Sequence, residues 1–589
     1  MLCDLIESLL SAGFRHIFLL NGHGGNQTPF AEALYRISLL HRYAWVAAQS
    51  YWKLAAAELA AQTFMDTPAL SHACEYETSM MLALQQGDVK MDLAQGYPAE
   101  RHSAFYDPLG YAPSLVEISE TFGQLTPNGA MGSPELASAE KGRKLLSLFE
   151  EKLVAFLQEF ACWPLPGKRS ILLRSSWQTV NIGDIAHTFG LLRLLDTYLP
   201  DAEVILWPIE VDRGVRERLQ KEFPTLEIVD GKVDESGVPD TPELLEAFSR
   251  SSVLVHGSGA CLVAGKDLDA WRVRTGKPYV IFGVTIDPRR ADDLEGGTLE
   301  MLRARMKALP EDHLTGPLRT VLSAASAVFC RDTLSLDYLR QQKVGEHAAF
   351  GPDATFGCDC SDPTTAEPWL RENGVEPNEF FCVIPRLRWT PYHEIHANLA
   401  RDPKLEGKVA INERTAISDH AALRELIILA VREGGLKVLL CPEMTYAVEL
   451  ARKQLFDPLP DDVKARTIWR DRYWLHDEAA AVYAQARAVV SMENHSPILA
   501  LAQGTPALYV RQPTDTIKGQ MWRDLGLGDC FFEVEETTGA MLWERLREIL
   551  ADGEAAHRKV VGLQQRARQI QHKMVAEIAR HLPTSDRPH

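Results

Sequence analysis

The side chains best suited to chemistry sit at the ends of short apolar runs. The run Ala488–Met492 leads into Glu493, Asn494, His495 and Ser496, which open a helical pattern. An imidazole ionises near neutrality and can give or take a proton at physiological pH, so His495 is a catalytic candidate, with Ser496 beside it. Asn181, Gly183 and Asp184 follow the run Ile171–Leu173 and open a helix. Small polar groups and a glycine there suit a ligand at a helix N-terminus, where anions are favoured. His256-Gly-Ser-Gly-Ala260 follows Val253–Val255, and its Gly257 and Gly259 could admit a ligand to the backbone. Arg331 follows the run ending at Cys330, and Arg386 and Arg388 follow Phe380–Ile384. Guanidinium groups clamp phosphates and carboxylates, so these arginines and Lys518 are anion-contact candidates. Each set alone also reads as structure: an Asp N-cap, a turn glycine, a helix-start histidine.

A second constellation lies nearer the start. His23 stands in the loop Asn21-Gly-His-Gly-Gly-Asn26, and His72, Glu75 and Glu77 fall within Ser71–Ser79. Imidazole and carboxylates hold Zn or Mn in hydrolases, where the ion acidifies a bound water. The same residues also read as a turn with a surface histidine and ordinary helix carboxylates.

These residues need elements that present them. Residues 1 to about 160 read as mixed α/β: a strand over Ile17–Leu20, an apolar run near Tyr43–Ala48, and an amphipathic helix over Ala139–Phe160. Trp163–Gly167 reads as a linker. Strand–helix alternation then runs through Ile171–Leu173, Val204–Trp207, Leu226–Val229, Val253–Val255, Tyr279–Val284 and Ala327–Cys330. After a Pro- and acid-rich boundary it resumes with Phe380–Ile384, Leu436–Cys441, Thr467–Trp469, Ala488–Met492 and Ala507–Val510. Such alternation predicts βαβ units and two open parallel sheets, whose ligands sit at the strand carboxyl ends. The expected domains are therefore 1–162, 168–365 and 378–582, with a frayed tail from Pro583.

Composition fits this. At 589 residues, 46% apolar and 24% charged, the chain is globular and too long for one core. Its formal charge of -18 gives no general attraction for nucleic acid or an anionic membrane. No stretch approaches the ~20 apolar residues of a membrane span. The start lacks a basic n-region and a small-residue cleavage site. Of the ten cysteines only Cys358 and Cys360 are close, and C-x-C alone is not a zinc spacing. Reduced thiols in a cytoplasmic protein are expected.

Two family resemblances sharpen these expectations. NGHGGN, HACEYETS and PNGAMGSPELASAEKG, in that order over residues 1 to about 160, resemble the creatininase family of two-metal amidohydrolases. The likeness implies that His23 is a metal ligand, that Glu75 or Glu77 is a ligand or water-orienting base, and that His72 contacts substrate or moves a proton. It also implies Zn or Mn as cofactor and a homo-oligomer. That family carries a Glu-x-His pair and a bridging Asp ahead of the opening helix, and this sequence shows no counterpart. The expectation is an N-terminally truncated creatininase-like domain without amidohydrolase activity. Farther on, NIGD (181–184), HGSG before GKPYVIFGVTIDP (276–288), CRDTLS (330–335), GPDATF (351–356) and MENHSP before GTPALYV resemble the polysaccharide pyruvyl transferase family. That likeness, over about 168–550, implies two Rossmann-like lobes in a GT-B-like arrangement. It also implies transfer of a pyruvyl unit from an anionic donor such as phosphoenolpyruvate to a sugar or sugar-linked acceptor, with no cofactor required. The family segment commonly reads Met-Arg-x-His-Ser, whereas this chain has Glu493 at the arginine's place. Either Arg386, Arg388 or another cation compensates for that charge reversal, or the donor differs from phosphoenolpyruvate. Two alternatives stand beside pyruvyl transfer: from the first likeness, an amidohydrolase whose site is incomplete in this chain; from Glu493 and the missing ligands, a non-catalytic binding protein.

Overall fold

The computed structural model describes residues 1–583 apart from 12–13, 41–43, 98–102, 112–113, 117, 120, 164–168, 289–292, 359–361 and 396–401. Cys360, most of the expected linker and the expected tail beyond Pro583 lie outside the described residues. The chain divides into two compact units, Met1–Pro166 and Gly167–His589.

The first unit carries a two-stranded parallel sheet, β1 (His16–Asn21) and β2 (Trp45–Ser50). Helices Leu2–Ser11 and Gln27–Leu40 bury Ile6, Leu10 and Ile37 with Ile17 of β1. A second cluster joins helices Glu75–Gln85 and Ala139–Ala161 through Tyr76, Met80, Leu145 and Phe149. The two cross closely because Gly142 has no side chain: a Cβ there would stand 1.9 Å from the Ser79 carbonyl oxygen.

The second unit contains two parallel sheets. The first is ordered β5-β4-β3-β6-β7-β8-β9, from β3 (Ser170–Ser175), β4 (Glu203–Pro208), β5 (Glu227–Ile228), β6 (Val253–His256), β7 (Tyr279–Val284), β8 (Ala327–Cys330) and β9 (Ala348–Phe350). The other is ordered β12-β11-β10-β13-β14-β15, from β10 (Phe380–Ile384), β11 (Lys437–Leu440), β12 (Thr467–Trp469), β13 (Val489–Ser491), β14 (Ala507–Arg511) and β15 (Phe531–Glu533). Central strands such as β3, β7 and β10 are buried along their whole length, as parallel strands covered on both faces must be. Mixed α/β with Rossmann-like lobes is thus the observed architecture.

Both sheets reverse their strand order at an internal point, between β3 and β6 and between β10 and β13. Crevices open at the carboxyl ends of strands where order reverses, and ligands bind there. The lobes are tied beside these points. Ile182 N–H donates to the Glu443 carbonyl and Thr445 N–H to the Val180 carbonyl, each at 3.1 Å. The long helix Gly553–Ala579 follows the second sheet yet returns to the first lobe, where Gln571 Nε2 donates to the Asp353 carbonyl at 3.0 Å. Edge strands β9 and β15 are additions to the sequence reading; each is only three residues long.

Candidate functional site

A cleft of ≈ 410 Å³ lies at the two strand-order reversals. Trp177 and Gln178 reach it from beyond β3, Ala260 and Cys261 from beyond β6, Arg386 from beyond β10, and Glu493 and His495 from beyond β13. Every one of these segments leaves the carboxyl end of its strand.

His495 begins the helix His495–Ala502 and is almost fully buried. Its Nδ1 lies 3.2 Å from Oε1 of Glu443, whose Oε2 accepts from Ser496 N–H at 2.6 Å. Glu443 therefore caps a helix N-terminus and orients the imidazole with one carboxylate. Burial works against charge on Glu443, but the bonds to His495 and Ser496 hold its carboxyl below the usual range. An ionised Glu443 makes Nδ1 the donor and leaves the Nε2 lone pair free; Nε2 has no hydrogen-bond partner. Burial lowers the His495 pKa, so the neutral, basic form prevails at neutral pH.

The opposite wall is the start of helix Ile182–Tyr198. Asn181 caps it, with Oδ1 accepting from Gly183 N–H at 2.7 Å. The His495 ring packs directly on Gly183, where a Cβ would stand 2.1 Å from the imidazole Cγ and Nδ1. One turn on, the His187 ring meets the His495 ring edge-on at 4.7 Å, and its Nε2 lies 3.2 Å from Oδ1 of Asp353. His187, Asp353 and His495 offer ligand atoms within 4.8 Å of one another, alone among the described residues. Two imidazoles and a carboxylate are a zinc donor set. Yet Asp353 also binds Arg331 Nη1 at 2.6 Å, fully buried, and that fixed positive charge opposes a dication. The set does not fit a metal.

The cationic side of the cleft is Arg386 and Lys518. Arg386 Nη1 bonds Asp515, and its Nε lies 3.3 Å from Oε2 of Glu493. Lys518 Nζ lies 3.1 Å from Oδ1 of Asp515. Asp515, also bonded by Tyr509 O–H at 2.5 Å, is thereby held well below the carboxylate range despite its burial. Glu493 goes the other way: burial pushes it up to about 8, only partly offset by Arg386.

Of the sequence candidates, Asn181, Asp184, Arg386, His495 and Lys518 line the cleft. Gly183 lies beneath His495. The other candidates of the second unit do not line the cleft. Arg331 is fully buried on Asp353 and Thr285. Arg388 makes a two-pronged bond to Asp419 at 2.8 and 2.9 Å and reaches Glu535 at 2.8 Å. The Arg388 charge is met by its own carboxylates, whereas Arg331 shares Asp353 with His187 and its Nη2 has no hydrogen-bond partner. A Cβ on Gly257 would stand 2.5 Å from Ser175 Oγ, and Gly259 bridges Val284 of β7, so these glycines let the loop run close to the sheet. Ser496 is engaged by Glu443 and Tyr483. Sequence reasoning missed Glu443, Tyr392, Gln178 and Glu210; Glu443, Gln178 and Glu210 follow closely on β11, β3 and β4 and carried the strand-end signal, whereas Tyr392 lies farther from β10.

In the first unit His23 and His72 come together, with ring centroids 6.2 Å apart, and His72 stacks on Phe122 at 4.0 Å. Glu75 does not join them. It is fully buried, bonded to Lys141 and accepting from Thr67 N–H and O–H at 2.7 Å. These bonds hold its carboxyl below the usual range although burial opposes them. Glu77 turns back to cap Ala73 N–H at 2.6 Å. Among the described residues of this unit, no three His, Cys, Asp or Glu side chains bring ligand atoms within 4.8 Å. The expected Zn or Mn set, His23 with Glu75 or Glu77, does not fit a metal ion that needs at least three protein ligands.

Comparison with known proteins accords with both resemblances. The creatinine amidohydrolase family model matches residues 1–157, and the polysaccharide pyruvyl transferase model matches residues 181–512. No curated protein matches the chain. Solved structures similar to it include a ugt transferase from Siraitia grosvenorii in complex with UDP, at 11% identity and a TM-score of 0.41, covering 70% of this chain and 100% of that one. Another is a UDP-GlcNAc 2-epimerase from Neisseria meningitidis bound to UDP-GlcNAc, at 9% identity and a TM-score of 0.40, covering 70% and 100%. No helix among the described residues is long and apolar enough to cross a membrane. With over half of its length matched by one model, the chain belongs to the polysaccharide pyruvyl transferase family, and it is a fusion that carries a creatininase domain ahead of the transferase region.

Proposed function

We propose that the second unit is a sugar-modifying transferase that moves a pyruvyl unit from a small enolpyruvyl donor, such as phosphoenolpyruvate, onto a sugar-type acceptor. One observation carries this reading: His495, oriented by Glu443, sits in the inter-lobe cleft beside the cations Arg386 and Lys518. Pyruvyl transfer requires a base for the acceptor hydroxyl, and a neutral imidazole with a free Nε2 lone pair is suited to that task. Arg386 and Lys518 are the groups available for the donor's carboxylate or phosphate.

Phosphate release from phosphoenolpyruvate across a panel of nucleotide sugars and oligosaccharides tests the reading, with donor affinity measured by calorimetry. His495→Asn should slow release by about 10²–10⁴-fold, the range for a lost acid–base group, while the donor Kd changes little. Wild-type protein that neither binds millimolar phosphoenolpyruvate nor releases phosphate with any acceptor would overturn it.

A further inference from the structure

Joining the enolpyruvyl unit of the donor to two acceptor hydroxyls as a ketal moves protons in two directions. The acceptor hydroxyl must lose one, and the methylene carbon of the donor must gain one. His495 supplies the first function; the second needs a group that enters the cleft with a proton to give.

Glu493 is placed for that. It lines the cleft, is 4% exposed, and stands two residues from His495. Its Oε1 is buried without a hydrogen-bond partner. Its Oε2 has Arg386 Nε 3.3 Å away, in a geometry that makes no hydrogen bond, because that guanidinium is committed through Nη1 to Asp515. The groups that act on Glu493 come from several elements: Arg386 after β10, Glu443 after β11, and Asp515 and Lys518 after β14. Tyr392 and Tyr446 feel its charge as well. Two of these neighbours are carboxylates that stay ionised, Glu443 on His495 and Asp515 on Arg386 and Lys518. A third negative charge among them is opposed, and an unpartnered buried carboxyl avoids it by keeping its proton.

We propose that Glu493 is the acid of the reaction, delivering its proton to the methylene carbon of the enolpyruvyl donor while His495 acts as the base. This rests on the pyruvyl-transfer reading above. The double-bond electrons form the new C–H bond with the Glu493 proton, which leaves a carboxylate beside Arg386. The acceptor oxygen bonds to the central carbon as His495 takes the hydroxyl proton. The C–O bond to phosphate then breaks, its electron pair leaves with phosphate, and phosphate carries off the proton held by His495. A second acceptor hydroxyl closes the ketal and returns its proton to Glu493, so both groups end as they began. Burial raises one group and lowers the other, and two titratable groups driven apart in this way divide acid from base. A neutral Glu493 also leaves Arg386 and Lys518 with one positive charge in excess of Asp515, which suits the donor's carboxylate.

The test compares wild-type protein with Glu493→Gln, an isosteric change that removes only the transferable proton. Difference infrared spectra between the two should show a protonated-carboxyl band at pH 7 that fades as pH rises through about 8. Phosphate release by Glu493→Gln should fall by about 10²-fold or more, with the phosphoenolpyruvate Kd retained and a Tm at pH 7 no lower than that of wild type. An ionised Glu493 at pH 7, or a Glu493→Gln enzyme as fast as wild type, overturns this role and leaves pyruvyl transfer standing. A wild-type protein inert toward phosphoenolpyruvate removes the pyruvyl reading, and the acid role falls with it.

Discussion

At residue 183 the cleft depends on a missing methyl group. Alanine is the better helix former by about 1 kcal/mol, so propensity alone would favour Gly183→Ala. The added Cβ, however, would stand 2.1 Å from His495 Cγ, and its neighbours on both sides are helix starts that cannot give way cheaply. The expected result is a lower Tm together with a loss of phosphate release of about 10²-fold, the cost of displacing a reacting group by roughly 1 Å. A Tm above wild type with full turnover would show that the ring moves freely. Glu493 makes a prediction of opposite character. In the unfolded chain its carboxyl ionises near 4.5; in the folded protein it ionises near about 8. Between those values the unfolded chain releases a proton that the folded one keeps, so the stability contributed by the neutral form is present below pH 4.5 and is lost as pH rises toward 8. Glu493→Gln lacks this dependence. Its Tm should match wild type near pH 4.5 and exceed it increasingly up to pH 8, as read by scanning calorimetry. Parallel curves across that window would mean that Glu493 ionises normally.

At the level of elements, the loop after β10 carries two arginines with different tasks. Arg386 faces the cleft, whereas Arg388 clamps Asp419 at the end of helix Leu405–Asp419 and reaches Glu535. Arg388→Ala should lower Tm by several degrees and leave the phosphoenolpyruvate Kd unchanged. Arg386→Ala should weaken the donor at least tenfold, as titration calorimetry will show. This pair marks how far the sequence could be read. Strands such as β3, β7 and β10 were legible because strands buried on both faces are unbroken apolar runs. The edge strands β9 and β15 were not, since three residues leave no pattern. The strand-end rule brought His495, Arg386, Asn181 and Asp184 to the cleft, but it could not tell Arg386 from Arg388, because their carboxylate partners lie 129 and 31 residues away. Glu443 was missed for the same reason: its partner His495 is 52 residues distant, on another strand's loop.

At the level of the whole molecule, the two units have separate cores. The first buries its own clusters around Ile17 and Tyr76, and the second closes one core across both sheets. Units that share no core unfold as separate transitions, so calorimetry of the full chain should resolve two, with the chain 167–589 alone identifying the second. The first transition then reports on the creatininase domain. A bound ion would raise it by mass action, whereas residues that cannot gather three ligands give no such gain. Because Glu75 is held by Lys141 and Thr67 and Glu77 by Ala73, micromolar Zn or Mn should leave that transition where it is. Glu75→Ala should lower it, since the change strips a buried carboxylate from Lys141 and Thr67, and should leave the second transition and phosphate release untouched. If Zn or Mn raises the first transition in wild type and no longer does so in Glu75→Ala, Glu75 is a ligand after all, and its bonds to Lys141 and Thr67 belong to the metal-free form alone.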